Sequence, residues 1–352
     1  MSDARSRQGG QGPWKLLIVD DEDDVHTVTR LVLSGFSFDG RGLEFLSAYD
    51  SAEAKDALAE HPDIALILLD VVMDGDDAGL RLVRHIREDL GNALVRIILR
   101  TGQPGRAPEN RVILEYDIND YKEKTELTAQ RLFTAVVSAL RSYRDLMTIE
   151  AHRREMESTH RELIYTLGDI IERRSKETGY HVQRVSEFAR LLALLSGRGE
   201  AEAELVATAS AVHDIGKVAI PDQVLNKPGS LSADEYELMK THASQGGDML
   251  AFSGRELFVA AAAIARQHHE RWDGTGYPAG LAGEAIHPYA RIAALADVFD
   301  ALTNDRVYRA AWTVDAAVAY IEGQSGGQFE PALVGSFIAE LPSFLEIRRR
   351  LS

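Results

Sequence analysis

Three short apolar runs, each ending in polar residues, constrain the fold of the first third of the chain more than any other feature. The runs are KLLIV (15–19), IALILL (64–69) and VRIIL (95–99), and amphipathic segments such as GLRLVRHIRE (79–88) lie between them. Continuous apolar strands that alternate with amphipathic helices are typical of a parallel sheet with helices on both faces. The pattern therefore predicts an α/β domain.

Carboxylates follow the first two runs, and a hydroxyl follows the third. Asp20 and Asp21 end the first run, Asp70 the second, and Thr101 closes the third. The carboxyl ends of parallel strands meet at one edge of a sheet, so these groups are expected to lie together. Clustered carboxylates bind a hard cation such as Mg²⁺, and one of them can attack phosphorus as a nucleophile. The acids at 22–24 are interpreted as solvated loop residues.

Residues 14–140 resemble the receiver domain of two-component response regulators, a flavodoxin-like fold with a five-stranded parallel sheet. The resemblance makes Asp70 the phosphoacceptor and implies a bound Mg²⁺ and a cognate sensor histidine kinase as partner. The other site residues that it implies are Asp20 and Asp21 for the metal, Thr101 and Lys124 for the phosphoryl group, and Tyr121 as the aromatic residue that changes rotamer. Thr125 and Asp74 stand where the family usually has proline.

The segments around this domain are polar. Residues 1–13 are rich in glycine and predict a disordered leader, whereas 141–167 are charged, contain no proline or glycine, and predict a connector helix. A helix of this composition bridges domains or pairs with its own copy, so a homodimer through the connector is one expectation.

Composition excludes several classes of protein. The chain of 352 residues has no cysteine, which rules out disulfides and thiolate metal sites and fits a cytoplasmic protein. A net charge of −16 argues against direct nucleic-acid binding. The leader has no apolar core of the signal-peptide kind, and no run reaches the roughly 18 apolar residues of a membrane span, so no membrane association is expected.

The second half places histidines and carboxylates inside apolar, helical segments. The settings are ETGYH (177–181), AVHDIGK (211–217), MKTH (239–242), QHHERWDGTGYP (267–278) and ALADVFD (294–300). A lone histidine on an apolar face is usually a core residue. A set of this size is instead typical of a metal centre, because buried charges must be paired or bound to metal.

Adjacent ligands indicate more than one metal. His268 and His269 would point about 100° apart on a helix, which suits two metals, or a metal and the substrate. His213 and Asp214 repeat the pattern, and the aspartate can bridge two cations that clamp a phosphoryl group. Nitrogen and oxygen ligands suit Fe, Mn or Zn. We expect Fe or Mn, since zinc more often uses thiolates or a single tetrahedral site.

HDIGK followed by HHERWDGTGYP resembles the HD-GYP family, an all-α branch of the HD-domain phosphohydrolases that hydrolyses cyclic di-GMP. The resemblance runs from Gly168 to Phe337 and assigns residues 168–352 to this domain. It implies catalytic roles for His213, Asp214 and Lys217, and substrate contacts from Lys217, Tyr277 and Arg306. The metal ligands that it implies are Glu177, His181, His213, Asp214, His242, His268, His269 and Asp297.

Glu177 bears on the number of metals. In the family, an acid four residues before the first ligand histidine accompanies a third metal, so its presence favours three ions over two. The alternative is a glutamate on a helix surface.

The two resemblances together predict a response regulator whose phosphorylation state controls hydrolysis of cyclic di-GMP to pGpG, GMP or both. One alternative is a catalytically weak domain that serves as a cyclic di-GMP receptor and protein-interaction module. Another is a hydrolase of a different nucleotide. The complete ligand set argues against the first alternative, and the GYP segment argues against the second.

Overall fold

The computed structural model describes residues 12–73, 77–101, 117–124, 128–175, 180–305 and 310–351. The chain divides into two compact units, residues 1–155 and 156–352. No helix within the described residues is both long enough and apolar enough to cross a membrane.

The first unit contains a sheet of five parallel strands. In chain order they are β1 (Trp14–Val19), β2 (Leu43–Ala48), β3 (Ile64–Asp70), β4 (Arg96–Thr101) and β5 (Asp120–Glu123). Their spatial order is β2-β1-β3-β4-β5, and every neighbouring pair is parallel. This is the flavodoxin-like order. The prediction of a five-stranded α/β receiver fold is confirmed.

Helices cover the two faces of this sheet, and alternate residues of its strands enter two cores. The helices are α1 (Asp23–Val32), α2 (Ser51–Glu60) and α3 (Ala78–Arg84), and a π-helical turn, His85–Asp89, continues the last one. Leu17 packs into one core, whereas Leu16 and Ile18 pack into the other. Since side chains alternate along a strand, a strand buried on both faces is largely apolar along its whole length.

One helix, α4 (Ala129–Arg174), is shared by the two units. Leu132, Val136 and Leu140 belong to a core of the first unit, and Ile171 is buried in the second. Between these ends Ile149 is exposed to solvent. The predicted connector, 141–167, lies within α4, and both the domain limits and the homodimer stay predictions.

The second unit is helical, as predicted. Its helices are α5 (His181–Leu195), α6 (Glu200–Ser210), α7 (Asp222–Leu225), α8 (Ala233–Leu250), α9 (Glu256–Gln267), α10 (Pro288–Thr303), α11 (Val314–Gly323), α12 (Pro331–Ala339) and α13 (Leu341–Arg350). Phe188, Phe299, Phe337 and Phe344 form the aromatic centre of the core that joins α5, α10, α12 and α13.

Candidate functional site

The carboxyl ends of β1 and β3 bring the predicted acids of the first unit together. Asp20, Asp21, Glu22 and Asp70 each offer an oxygen, and these oxygens lie within 4.8 Å of one another. Asp20 and Asp70 are buried, whereas the other two are exposed. We call these four residues the acid cluster. An all-oxygen donor set of this kind fits a hard cation such as Mg²⁺.

Lys124 joins the acid cluster from the end of β5. Its Nζ lies 2.8 Å from Asp70 Oδ2, 3.2 Å from Asp20 Oδ2 and 2.8 Å from Glu22 Oε1. Burial alone would lower the pKa of Lys124, but its hydrogen bonds to Asp70 and Glu22 outweigh burial and raise it. Burial raises the pKa of Asp70 above its ordinary value, against the opposing pull of Lys124. The lysine is therefore a fixed cation beside the predicted phosphoacceptor.

Thr101 and Tyr121 lie at the same edge of the sheet. The register of β3 and β4 pairs Asp70 with Arg100, so Thr101 follows one residue later, and it is buried. Tyr121 pairs with Leu99 and is buried as well. Their predicted roles toward a phosphoryl group stay predictions. The two departures from the family pattern, Asp74 and Thr125, lie outside the described residues.

In the second unit, helices and the turns that adjoin them supply the predicted metal ligands that the structure describes. His181 begins α5, His213 and Asp214 follow α6, His242 lies in α8, His268 and His269 follow α9, and Asp297 lies in α10. Among the described residues of this unit, the ligand atoms fall into two groups, and the atoms of each group lie within 4.8 Å of one another. One group contains Asp214, His242, His268 and His269, and the other contains Glu172, His181 and His213.

Three of these histidines have one nitrogen oriented by the backbone. The Nδ1 atoms of His213, His242 and His268 donate to carbonyls of the preceding turn, 2.7 to 3.1 Å away. Each Nε2 therefore points inward, toward the carboxylate of Asp214. All three Nε2 atoms are buried without a hydrogen-bond partner, and so is Asp214 Oδ1. Buried polar atoms without partners are costly. Their convergence fits a metal centre.

Asp214 is the hub of the cluster. Its Oδ1 lies 3.1 Å from His242 Nε2, and its Oδ2 lies 3.2 Å from His213 Nε2 and 2.7 Å from Lys217 Nζ. Burial alone would raise the pKa of Asp214, but the charges of Lys217 and His213 hold it well below its ordinary value. An ionised carboxylate with oxygens facing two ligand groups is suited to bridging two cations.

A second carboxylate fixes His181. Its Nδ1 lies 2.7 Å from Asp300 Oδ2, and its Nε2 lies 3.7 Å from Asp297 Oδ1. Arg184 also pairs with Asp300. A carboxylate on the far nitrogen of a histidine sets its tautomer and orientation for a metal. The sequence did not predict that Asp300 would orient His181.

Glu172, in the last turn of α4, is a site residue that the sequence analysis did not predict. It is only 4% exposed, and its carboxylate reaches the ligand atoms of His181 and His213. Its Oε2 also lies 3.3 Å from Lys217 Nζ. The available signal was an acid directly after Ile170 and Ile171, nine positions before His181. Glu177 and Arg306 lie outside the described residues, so their roles stay predictions.

The glycine-rich loop after α9 is held against the cluster. The buried Glu270 carboxylate accepts hydrogen bonds from the backbone of Ala279 and Leu281, at 2.8 and 3.0 Å. The Tyr277 ring stacks on His269, with centroids 4.7 Å apart. A Cβ at Gly276 would lie 2.4 Å from the Arg271 nitrogen, so only glycine allows this close turn.

Electrostatics in the loop favour metal binding. Burial holds the pKa of His269 well below its ordinary value. The ring is therefore neutral and has a lone pair to offer a metal. The Trp272 ring lies under the Arg291 guanidinium, whose carbon is 5.5 Å from the ring centroid.

Known proteins share this organisation. Residues 165–333 match the family model described as HD domain. The 3'3'-cGAMP-specific phosphodiesterase 2 of Vibrio cholerae is 35% identical, across 97% of this chain and 94% of its own length. The cyclic di-GMP phosphodiesterase response regulator RpfG of Xanthomonas campestris pv. campestris is 38% identical, across 92% and 86% respectively.

Among solved structures, the signal receiver domain of an HD domain-containing protein from Pseudomonas fluorescens Pf-5 covers 38% of this chain and 99% of its own, at 23% identity and a TM-score of 0.32. The relatives from Vibrio cholerae and Xanthomonas campestris match nearly the whole chain and therefore include both of its units. The chain belongs to the family of response regulators in which a receiver domain precedes an HD-GYP phosphodiesterase domain.

Proposed function

We propose that this protein hydrolyses the phosphodiester bonds of a cyclic dinucleotide, with cyclic di-GMP as the substrate. One observation carries the proposal: the Nε2 atoms of His213, His242 and His268 converge on Asp214 while buried and without hydrogen-bond partners. The names of the two full-length relatives support the choice of substrate class.

The His and Asp residues of this site would hold two or three divalent ions, Fe or Mn. When bound, these ions supply Lewis-acid activation of water and of the phosphodiester. The predicted ligands would hold these ions, with Asp214 placed between the two ligand groups, and Asp300 orients His181 from outside the set. Glu177 provides for a third ion.

Lys217 is the proposed phosphate-binding cation of the site. Its Nζ lies between Asp214 Oδ2 and the Glu172 carboxylate, and its side chain is largely buried. A fixed ammonium in this position would donate a hydrogen bond to a phosphate oxygen of the substrate. Tyr277 and Arg306 complete the proposed contacts with the substrate.

A second substrate, 3'3'-cGAMP, is favoured by the relative from Vibrio cholerae, which is named as specific for it and matches nearly the whole chain. Both cyclic dinucleotides present a phosphodiester to the same metal centre. The choice between them therefore depends on recognition of a base rather than on the ligand set.

The receiver unit is the proposed control element. A sensor histidine kinase supplies the phosphoryl group, Asp70 accepts it beside Mg²⁺, and the state of Asp70 sets the rate of hydrolysis. The support is the acid cluster with Lys124 at 2.8 Å from Asp70. A shift between two receiver conformations is the general way in which such a modification acts.

Product analysis tests the substrate and the reaction. The protein is loaded anaerobically with Fe²⁺ or Mn²⁺ and incubated separately with cyclic di-GMP and 3'3'-cGAMP, beside a His213→Ala/Asp214→Ala control. The expected result is pGpG or GMP from the wild type alone. Faster turnover of 3'3'-cGAMP than of cyclic di-GMP would make 3'3'-cGAMP the substrate. If the protein bound cyclic di-GMP but gave no product with either metal, it would be a receptor for this nucleotide and not an enzyme.

Control by the receiver is tested with the same assay. The wild type and Asp70→Asn are compared before and after treatment with acetyl phosphate. A rate change in the wild type alone is the expected result. Equal rates in all four samples would remove phosphorylation at Asp70 from the mechanism.

A further inference from the structure

Arg100 is a buried cation that the proposed receiver chemistry does not use. It precedes Thr101 on β4, is paired in register with Asp70, and is only 3% exposed. Its Nη2 lies 3.3 Å from Asp20 Oδ2 and its Nη1 3.2 Å from Thr29 Oγ1, while Nε is buried without a hydrogen-bond partner. Burying a guanidinium is costly unless a charge compensates it. Asp20 is that compensating charge.

The acid cluster thus faces two fixed cations of different kinds. Lys124 touches Asp20, Glu22 and Asp70 from a partly exposed position. Arg100 forms its ion pair with Asp20 from inside the domain. Salt and water screen a buried charge far less than an exposed one.

A bound cation and the basic side chains of the domain would therefore compete for the carboxylate of Asp20. It belongs to the set of oxygens that could hold a cation, yet its Oδ2 lies 3.3 Å from Arg100 and 3.2 Å from Lys124. A divalent ion that binds Asp20 meets the repulsion of a guanidinium that cannot withdraw into solvent.

We propose that Arg100 is an internal counter-ion of Asp20 that competes with Mg²⁺ and lowers the affinity of the acid cluster for the metal. Arg100 acts through Asp20 and is a positioning residue. This inference rests on the proposed Mg²⁺ site of the receiver. The same ion pair compensates Asp20 in the metal-free state, so the fold does not need Mg²⁺ to relieve the repulsion among the carboxylates.

The test is calorimetric titration of the full chain with Mg²⁺, in wild type, Arg100→Met and Arg100→Lys. The component that belongs to the acid cluster is identified by its loss in Asp21→Ala, since the helical domain also offers metal ligands. Arg100→Met is expected to raise the affinity of that component by roughly tenfold, because a unit charge beside a divalent ion is removed. Arg100→Lys keeps the charge and is expected to stay within about twofold of wild type.

Arg96 provides the matched control. It is another buried arginine of β4, but it donates to the backbone carbonyls of Ala93 and Leu94. Arg96→Met should cost stability without changing Mg²⁺ affinity. If Arg100→Met does not fold, Arg100→Gln replaces it, since the amide can still bond Thr29.

A second readout is the rise in melting temperature on adding Mg²⁺, which reports binding to the folded state. It should be larger in Arg100→Met than in wild type. Unchanged or weaker Mg²⁺ binding in folded Arg100→Met would overturn the inference. If wild type and Asp21→Ala instead gave the same titration, the wild type would have no component from the acid cluster. That result would overturn the Mg²⁺ site itself, so the two failures are distinguishable.

Discussion

The phenol ring of Tyr277 stacks on the imidazole of His269, with ring centroids 4.7 Å apart and planes inclined by 26°. A backbone hydrogen bond of 3.2 Å from Tyr277 N to His269 O adds a second link. The loop that carries the tyrosine therefore also restrains a predicted metal ligand. The stack makes orientation of His269, rather than chemistry at the hydroxyl, the first role to test.

Replacing Tyr277 separates its ring from its hydroxyl. Tyr277→Leu removes the stack and should lower kcat/KM by up to about tenfold, the scale of an aromatic pair, together with the metal content. Tyr277→Phe keeps the stack and should retain the metal content. Metal analysis and steady-state kinetics provide the readouts. Equal loss of activity in both variants, with full metal content, would show that the hydroxyl is what matters.

Glu172→Gln should impair catalysis without removing a metal. The Glu172 carboxylate lies 3.3 Å from Lys217 Nζ, and a neutral amide holds that ammonium less firmly. We expect kcat/KM to fall by about tenfold, with unchanged metal content. The matched control is Glu162→Gln, an exposed glutamate on the same helix, which should leave both quantities unchanged. Loss of one ion in Glu172→Gln would make Glu172 a ligand instead of a positioning residue.

Asp300→Asn should affect both stability and metal binding. Asp300 pairs with Arg184 and with His181, and all three are buried. Burial alone would raise the pKa of Asp300, but these partners outweigh burial and hold it below its ordinary value, so the group is ionised. The substitution leaves Arg184 unpaired and should cost about 3–5 kcal/mol of unfolding free energy. Metal affinity should fall by about 10- to 100-fold.

A double variant distinguishes the two effects of Asp300. Asp300→Asn/Arg184→Met removes the unpaired charge and should recover most of the lost stability in denaturant unfolding. It should not recover metal affinity, because His181 still lacks its carboxylate. Recovery of both together would mean that Asp300 acts on the metal only through the stability of the fold.

Glu270→Ala should loosen the loop that holds Tyr277. The carboxylate accepts two backbone hydrogen bonds, from Ala279 and Leu281, and its loss leaves both amides without their partner. We expect their hydrogen exchange to accelerate by roughly tenfold or more and kcat/KM to fall. The nearby exposed Glu284→Ala serves as the control. Unchanged exchange at both amides would show that other contacts hold the loop.

Local sequence was sufficient to predict the strands and many of the functional groups. Continuous apolar runs such as IALILL predict buried parallel strands, and residues after such runs must lie at the sheet edge, which places Asp20 and Asp70 together. Histidines in apolar helical segments predict buried imidazoles that need a partner. These inferences depend on spacing along the chain, which the residues themselves carry.

What only the tertiary structure decided is which buried polar atoms meet. His181 and Asp300 are 119 positions apart and Arg100 and Asp20 are 80 apart, so no local pattern joins them. Glu172 looks like an ordinary helix glutamate until the packing of its helix brings it to Lys217. Periodicity predicts which face of an element is buried, whereas the partner of a buried charge is set by how the elements pack against one another.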